Sequence, residues 1–100
     1  MELNSIPDIF QSKIRIAIVS CLLTGTKTFK EIKELTGATD GNISTHMSKL
    51  SAASCVEVVK DYEKNKPRTR YTLTKQGRKE FEDYVNRLEE IIRLADQLKK

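Results

Sequence analysis

The strongest constraint in the sequence is a pair of short helices separated by a tight turn. Thr28 stands three residues before Glu31, which is the spacing of a capping box at the start of a helix. Gly37 supplies the left-handed residue that ends this helix, and Thr39 or Asp40 can cap the next one. Because the turn is only three to four residues long and contains glycine, the two helices are expected to pack as a helix-turn-helix.

Periodicity predicts the elements on either side of this pair. A turn beginning at Ser5-Ile6-Pro7 precedes a first helix over residues 13–23. Residues 56–62 and 69–73 are rich in β-formers and predict two antiparallel strands, joined by a polar loop at 63–67. Thr74 caps a final helix that can run to the C-terminus.

Length and composition indicate one domain. The chain has 100 residues, of which 38% are hydrophobic and 32% charged, an ordinary balance for a small globular protein. We expect a single domain over residues 1–100, with a dimerisation helix at 74–100. The predicted fold class is mainly α with a small antiparallel β-hairpin (α+β). Its element order is that of a winged helix-turn-helix.

Motifs for catalysis, nucleotides and metals are missing from the sequence. The one histidine is His46, the four glycines form no phosphate-binding pattern, and neither H-E-x-x-H nor C-x-x-C occurs. We therefore expect no catalysis, no cofactor and no metal. The sequence also shows no secretion signal and no apolar run long enough for a membrane, so a cytoplasmic location with reduced cysteines is expected.

Positive charge is concentrated in the predicted hairpin and the residues after it. Residues 60–79 carry eight Lys or Arg and two Asp or Glu, whereas residues 1–59 carry six of each and residues 80–100 carry four and six. The net charges of these segments are therefore +6, 0 and −2. A compact basic segment is typical of an anion-binding surface, although a solvated face has the same composition.

The predicted third helix carries short polar side chains opposite a narrow buried stripe of Ile43, Met47 and Leu50. Asparagine can bond adenine, hydroxyls and imidazole can bond bases or phosphates, and lysine suits a phosphate. The alternative is an ordinary solvated helix face. The predicted DNA-reading residues are Gly41, Asn42, Ser44, Thr45, His46, Ser48 and Lys49.

The hairpin supplies the second predicted DNA contact. Its basic side chains can meet phosphates or enter a minor groove. The alternative is that these charges protect an edge strand against aggregation. The predicted contacts of this wing are Lys64, Lys66, Arg68 and Arg70.

Two apolar surfaces predict a homodimer. The last helix has a seam spaced 3 and 4 residues apart, as in coiled coils, and the first helix has a second apolar stripe nearly opposite its core stripe. Such a stripe must meet another element of the chain or a partner chain. Tyr84 and the seam could instead line a ligand pocket. The predicted interface comprises Ile16, Val19, Leu23, Tyr84, Leu88, Ile91, Ala95 and Leu98.

The chain has four stretches, at residues 13–18, 29–32, 39–47 and 66–77, that resemble a known family. The family is that of the small winged-helix transcriptional regulators of bacteria and archaea related to the MarR and ArsR groups. The resemblance implies a dimeric DNA-binding transcription factor, with recognition residues in the third helix and phosphate contacts from the wing. The group usually has a glycine and an aromatic where Ser54-Cys55 stand here, and often a basic residue in place of Thr45.

The sequence thus predicts a regulator of transcription that binds double-stranded DNA as a homodimer. The third helix would enter the major groove, and the basic wing would contact the backbone or minor groove. One alternative is a non-catalytic protein-interaction module that uses the same core. Another is a metal- or thiol-responsive sensor built on Cys55 and His46. Whether a small-molecule effector binds is left open.

Overall fold

The computed structural model describes residues 8–99 and contains four α-helices and one antiparallel sheet. The predicted turn at residues 5–7 lies outside the described residues. The elements are a 3-10 helix at Asp8–Phe10, α1 at Lys13–Leu22, β1 at Lys27–Thr28, α2 at Phe29–Thr36, α3 at Asp40–Ala52, β2 at Val56–Glu63, β3 at Lys66–Leu73 and α4 at Lys75–Leu98. The strand order in the sheet is β1-β3-β2, and the predicted fold class is confirmed.

The caps that define the helix-turn-helix form as predicted. The Thr28 hydroxyl accepts from the Glu31 backbone N–H at 3.2 Å, and the Glu31 carboxylate accepts from the Thr28 backbone N–H at 3.0 Å. Gly37 ends α2 in the left-handed region with φ 69°. Of the two proposed caps for α3, Thr39 is the one used, because its hydroxyl accepts from the Asn42 backbone N–H. The turn between α2 and α3 therefore spans residues 37–39.

The first helix has one buried face, and Val19, which was predicted to lie in the dimer interface, belongs to it. The buried residues of α1 are Arg15, Ile18, Val19 and Leu22, and Val19 is 0% exposed within its own chain. The remaining two members of that stripe, Ile16 and Leu23, are half-buried against the same core. The stripe therefore meets other elements of this chain, and Val19 has no surface to offer a partner.

The two strands of the wing hairpin are longer than predicted, and the turn between them is shorter. Lys64 and Asn65 both have positive φ, 52° and 63°, and they form a two-residue turn between Glu63 and Lys66, which pair with each other. The predicted five-residue loop at 63–67 is therefore wrong. Pro67 lies inside β3 opposite Tyr62, in the part of β3 that β1 does not flank.

The turn from α3 into β2 is held by Cys55 and by the start of α4. Cys55 is fully buried; its N–H donates to Leu50 O, and its carbonyl accepts from Thr74 N–H, both at 2.9 Å. A Cβ on Gly77 would lie 2.3 Å from the Cys55 carbonyl oxygen, so only glycine fits at this approach. Ser54 has φ 61° and occupies the left-handed position where the resembling regulators usually have glycine.

We predict that Ser54→Gly raises the free energy of unfolding by about 1 kcal/mol, because a residue with a Cβ is destabilised by about that amount in the left-handed region. For a 100-residue domain this corresponds to a rise of about 5 °C in the unfolding midpoint. Thermal and urea unfolding measure both quantities. The matched control is Ala53→Gly, at φ −84°, where glycine should lower the stability. A Ser54→Gly protein that is less stable than wild type would contradict the strain at this turn.

Candidate nucleic-acid interface

The exposed face of α3 is built from small polar side chains. Ile43, Met47 and Leu50 are buried and fix the orientation of the helix, as predicted from their spacing. Ser48 donates to the Ser44 carbonyl at 3.0 Å, so its hydroxyl is partly engaged along its own helix. Of the seven predicted DNA-reading residues, His46 is half-buried and the other six are exposed: Gly41, Asn42, Ser44, Thr45, Ser48 and Lys49.

His46 differs from its neighbours because it is bonded to another helix. Its Nδ1 lies 2.9 Å from a terminal guanidinium nitrogen of Arg15 on α1. Burial lowers the pKa of the His46 imidazole below its usual value, and the positive charges of Arg15 and Lys49 lower it further. At neutral pH the ring is therefore uncharged. It lies at the edge of the exposed face of α3, next to the buried stripe.

Arg15 is the polar residue that the sequence analysis missed. It is 9% exposed, and its guanidinium also donates to the backbone carbonyls of Ile9 at 2.6 Å and Asp8 at 3.2 Å. In the sequence it falls between apolar residues of the first helix. The available signal was its helical spacing of three and four residues from Ile18 and Val19.

The wing arginines are paired with acidic residues of the same hairpin. Arg68 Nε donates to Asp61 at 2.8 Å and Arg68 also bonds Glu63 at 2.9 Å, while Arg70 bonds Asp61 at 2.7 Å. The hydrogen bond from Arg68 holds the pKa of the Asp61 carboxyl below its usual value, so this carboxyl stays ionised. Lys64 and Lys66 are exposed at the tip and form no ion pair within residues 8–99.

The pairing register divides the hairpin into two faces. Asp61, Arg68 and Arg70 lie on the face directed away from α3, because Tyr71 and Val58 occupy the alternate positions and pack toward it. A cleft between α3 and the hairpin is lined by hydroxyls and one cation, of which the predicted site left out Ser51, Lys60 and Thr69. These lining residues include Ser44, Ser48, Ser51, Lys60 and Thr69.

The seam on α4 begins in an aromatic cluster and ends in solvent. Tyr84 stacks on Phe10 of the 3-10 helix with centroids 5.1 Å apart, and Phe81 meets Phe10 edge-on at 5.5 Å. Tyr84 is thus partly engaged within its own chain. Toward the C-terminus, Ile91 is half-buried and the rest are exposed, from Leu88 at 38% through Ala95 to Leu98 at 86%. The longest dimension of the protein is 63 Å, against 24 and 22 Å for the other two.

Neither cysteine has the setting of a reactive thiol. Burial raises the pKa of Cys55 to about 12, and the Glu80 carboxylate, which accepts from its thiol at 3.2 Å, adds to the shift. Burial also raises the pKa of Cys21. Among residues 8–99 there is no group of three or more side chains that could hold a metal ion, and no helix is long and apolar enough to cross a membrane.

This arrangement of a helix-turn-helix followed by a basic hairpin matches a known family along most of the chain. The family is described as a winged helix DNA-binding domain, and the match runs from residue 14 to residue 92. The chain therefore belongs to this family. An uncharacterised protein of Methanocaldococcus jannaschii is 34% identical over 92 residues, which cover 90% of this chain and 96% of that relative.

Solved structures share the fold at lower identity. A transcriptional regulator of the MarR family from Enterococcus faecalis V583 has a TM-score of 0.77 at 22% identity, covering 97% of this chain and 87% of its own. A transcriptional regulator homologue from Pyrococcus horikoshii OT3 has a TM-score of 0.74 at 22% identity, covering 94% and 99%. The fold predicted from the resemblance to MarR and ArsR regulators is confirmed.

Proposed function

We propose that this protein is a sequence-specific regulator of transcription that binds double-stranded DNA as a homodimer and has no catalytic activity. The observation that carries the proposal is the exposed, small-residue face of α3 lying beside a projecting hairpin with free lysines at its tip. Short side chains let α3 enter the major groove closely enough to bond base edges. Membership of a winged-helix DNA-binding family supports the same partner.

The cleft between α3 and the hairpin suits one strand of the DNA backbone. Hydroxyls from Ser51 and Thr69 and the ammonium of Lys60 line it, and all of these groups can donate hydrogen bonds to phosphates. Lys64 and Lys66 then extend the contact toward the next groove. In this arrangement the arginines build the hairpin, and the lysines supply most of its phosphate contacts.

The exposed seam of α4 is proposed as the surface that joins two copies. Its apolar side chains continue beyond the body of the protein, where residues 8–99 provide nothing to cover them. A pairing through this seam would relate the two α3 helices by a two-fold axis. Their expected separation is about 34 Å, the distance between successive major grooves on one face of the duplex.

Replacing Asn42 by alanine should relax sequence preference. We expect a loss of about 1 to 3 kcal/mol on the preferred duplex, because a bidentate contact to adenine is removed, with little change on a scrambled duplex. The preferred duplex comes from selection of a random pool, and competition binding measures the ratio. Asn86→Ala, the same change on an exposed position of α4, is the control and should leave both affinities unchanged. Equal losses on both duplexes would place Asn42 on the backbone.

Replacing Asp61 by asparagine should strengthen binding to every duplex. The change removes the carboxylate that engages both Arg68 and Arg70, so Arg70 becomes available to phosphates and Arg68 keeps only its ion pair with Glu63. We expect the plot of log affinity against log salt to steepen by about 0.9 for each additional phosphate that the protein neutralises. Glu57→Gln removes the same charge from an exposed position on the same strand and should have a smaller effect. An unchanged slope for Asp61→Asn would exclude the arginines from the DNA surface.

The variant Ile91→Glu should be monomeric, because it places an unpaired charge at the centre of the proposed seam. Sedimentation at micromolar concentrations distinguishes monomer from dimer. Asn86→Glu adds the same charge on the opposite side of α4 and should remain dimeric. A wild-type protein that is monomeric at high micromolar concentration would contradict the seam assignment.

If the dimer forms but no duplex binds, the protein-interaction alternative would replace the proposed function.

A further inference from the structure

The guanidinium of Arg15 is buried among acceptors that are all uncharged. Its partners are two backbone carbonyls of the 3-10 helix and the Nδ1 atom of His46. Among residues 8–99 it forms no ion pair with a carboxylate. A buried cation is costly unless its donors are satisfied, so these three contacts fix the position of the side chain.

The chemistry of arginine determines the state of the histidine. A guanidinium only donates hydrogen bonds and does not lose its proton, so Nδ1 of His46 must accept. The imidazole is then neutral, with its proton on Nε2. A protonated ring would bring the Nδ1 hydrogen against a cation. Nε2 makes no hydrogen bond within residues 8–99 and is therefore left for an acceptor outside the chain.

We infer that Arg15 is a positioning residue for the DNA-binding helix: it ties α3 to the N-terminal 3-10 helix and makes His46 a fixed donor through Nε2–H. The DNA-reading role of that donor rests on the proposed function. In the major groove a fixed donor selects acceptors such as O6 and N7 of guanine. A neutral ring that could change its tautomer would make no such choice.

The inference also predicts a pH dependence. The charged side chains facing His46 are Arg15 from α1 and Lys49 from α3, and the 3-10 helix presents only the carbonyls of Asp8 and Ile9 to Arg15. Both cations oppose protonation of the ring, so the donor geometry persists as the pH falls below 6.5. It is lost when the pH passes through the lowered pKa. Protonation adds positive charge to α3, so sequence preference should fall there while affinity for random duplex does not.

Long-range ¹H–¹⁵N spectra of the untagged protein test the tautomer without DNA. His46 is the one histidine in the chain, so its ring signals need no assignment. We expect the Nε2–H tautomer at neutral pH and a titration midpoint below 6.5. In Arg15→Met the spectrum should show mixed tautomers, and the midpoint should rise. An Nδ1–H tautomer in the wild type, or a midpoint at or above 6.5, would overturn the inference even if Arg15→Met does not fold.

A double-mutant cycle on DNA tests the positioning role. His46→Ala and Arg15→Met should each reduce the ratio of preferred to scrambled affinity by about tenfold, the range of one base contact. The double variant should lose no more than His46→Ala alone, because Arg15→Met acts only by releasing the donor that His46→Ala deletes. Multiplied losses would show that Arg15 acts independently of His46 and would overturn the inference. If no variant or wild type binds DNA, the proposed function fails, and the spectra still decide the tautomer.

Discussion

The close approach of α4 to the turn after α3 is the constraint on which the rest of the structure depends. The carbonyl of Cys55 accepts from Thr74, and Gly77 packs against the Cys55 backbone at a distance that excludes any side chain. The Thr74 hydroxyl donates to the Ser54 carbonyl at 2.6 Å and accepts from the Gly77 N–H at 2.9 Å. One junction therefore sets where α3 ends, where β2 leaves and where α4 begins. The relative placement of α3, the wing hairpin and α4 follows from it.

Features encoded by local chemistry were predictable from the sequence. The capping box at Thr28 and Glu31, the left-handed Gly37 and the core stripe of α3 each depend on neighbours within one or two helical turns. The two-residue strand β1 was not predictable, because it is too short to show a period and exists only through its pairing with β3. The wing turn was placed in a longer loop because Lys64 and Asn65 do not include the glycine that usually marks such a turn.

The candidate site was predictable in composition but not in pairing. The residues of α3 that face outward follow from the core stripe, whereas the partner of His46 is 31 residues away in the sequence. The excess charge of the wing is likewise a poor measure of its free charge, since Asp61 alone engages two arginines. Alternation along β2 places Lys60 toward α3, but its role depends on the cleft that only the folded hairpin creates. Long-range contacts thus decide which of the cations remain available to an anionic partner.

The 3-10 helix at Asp8–Phe10 connects the two surfaces that the proposed function requires. Phe10 stacks on Tyr84 and meets Phe81, which anchors the start of the α4 seam. The backbone carbonyls of Asp8 and Ile9 accept hydrogen bonds from Arg15, which in turn bonds His46 on α3. Because these contacts are a buried aromatic cluster and a set of hydrogen bonds with defined directions, neither surface can shift freely relative to the other. In the proposed dimer, the spacing of the two α3 helices would therefore depend on the contacts of Asp8, Ile9 and Phe10 with α1 and α4.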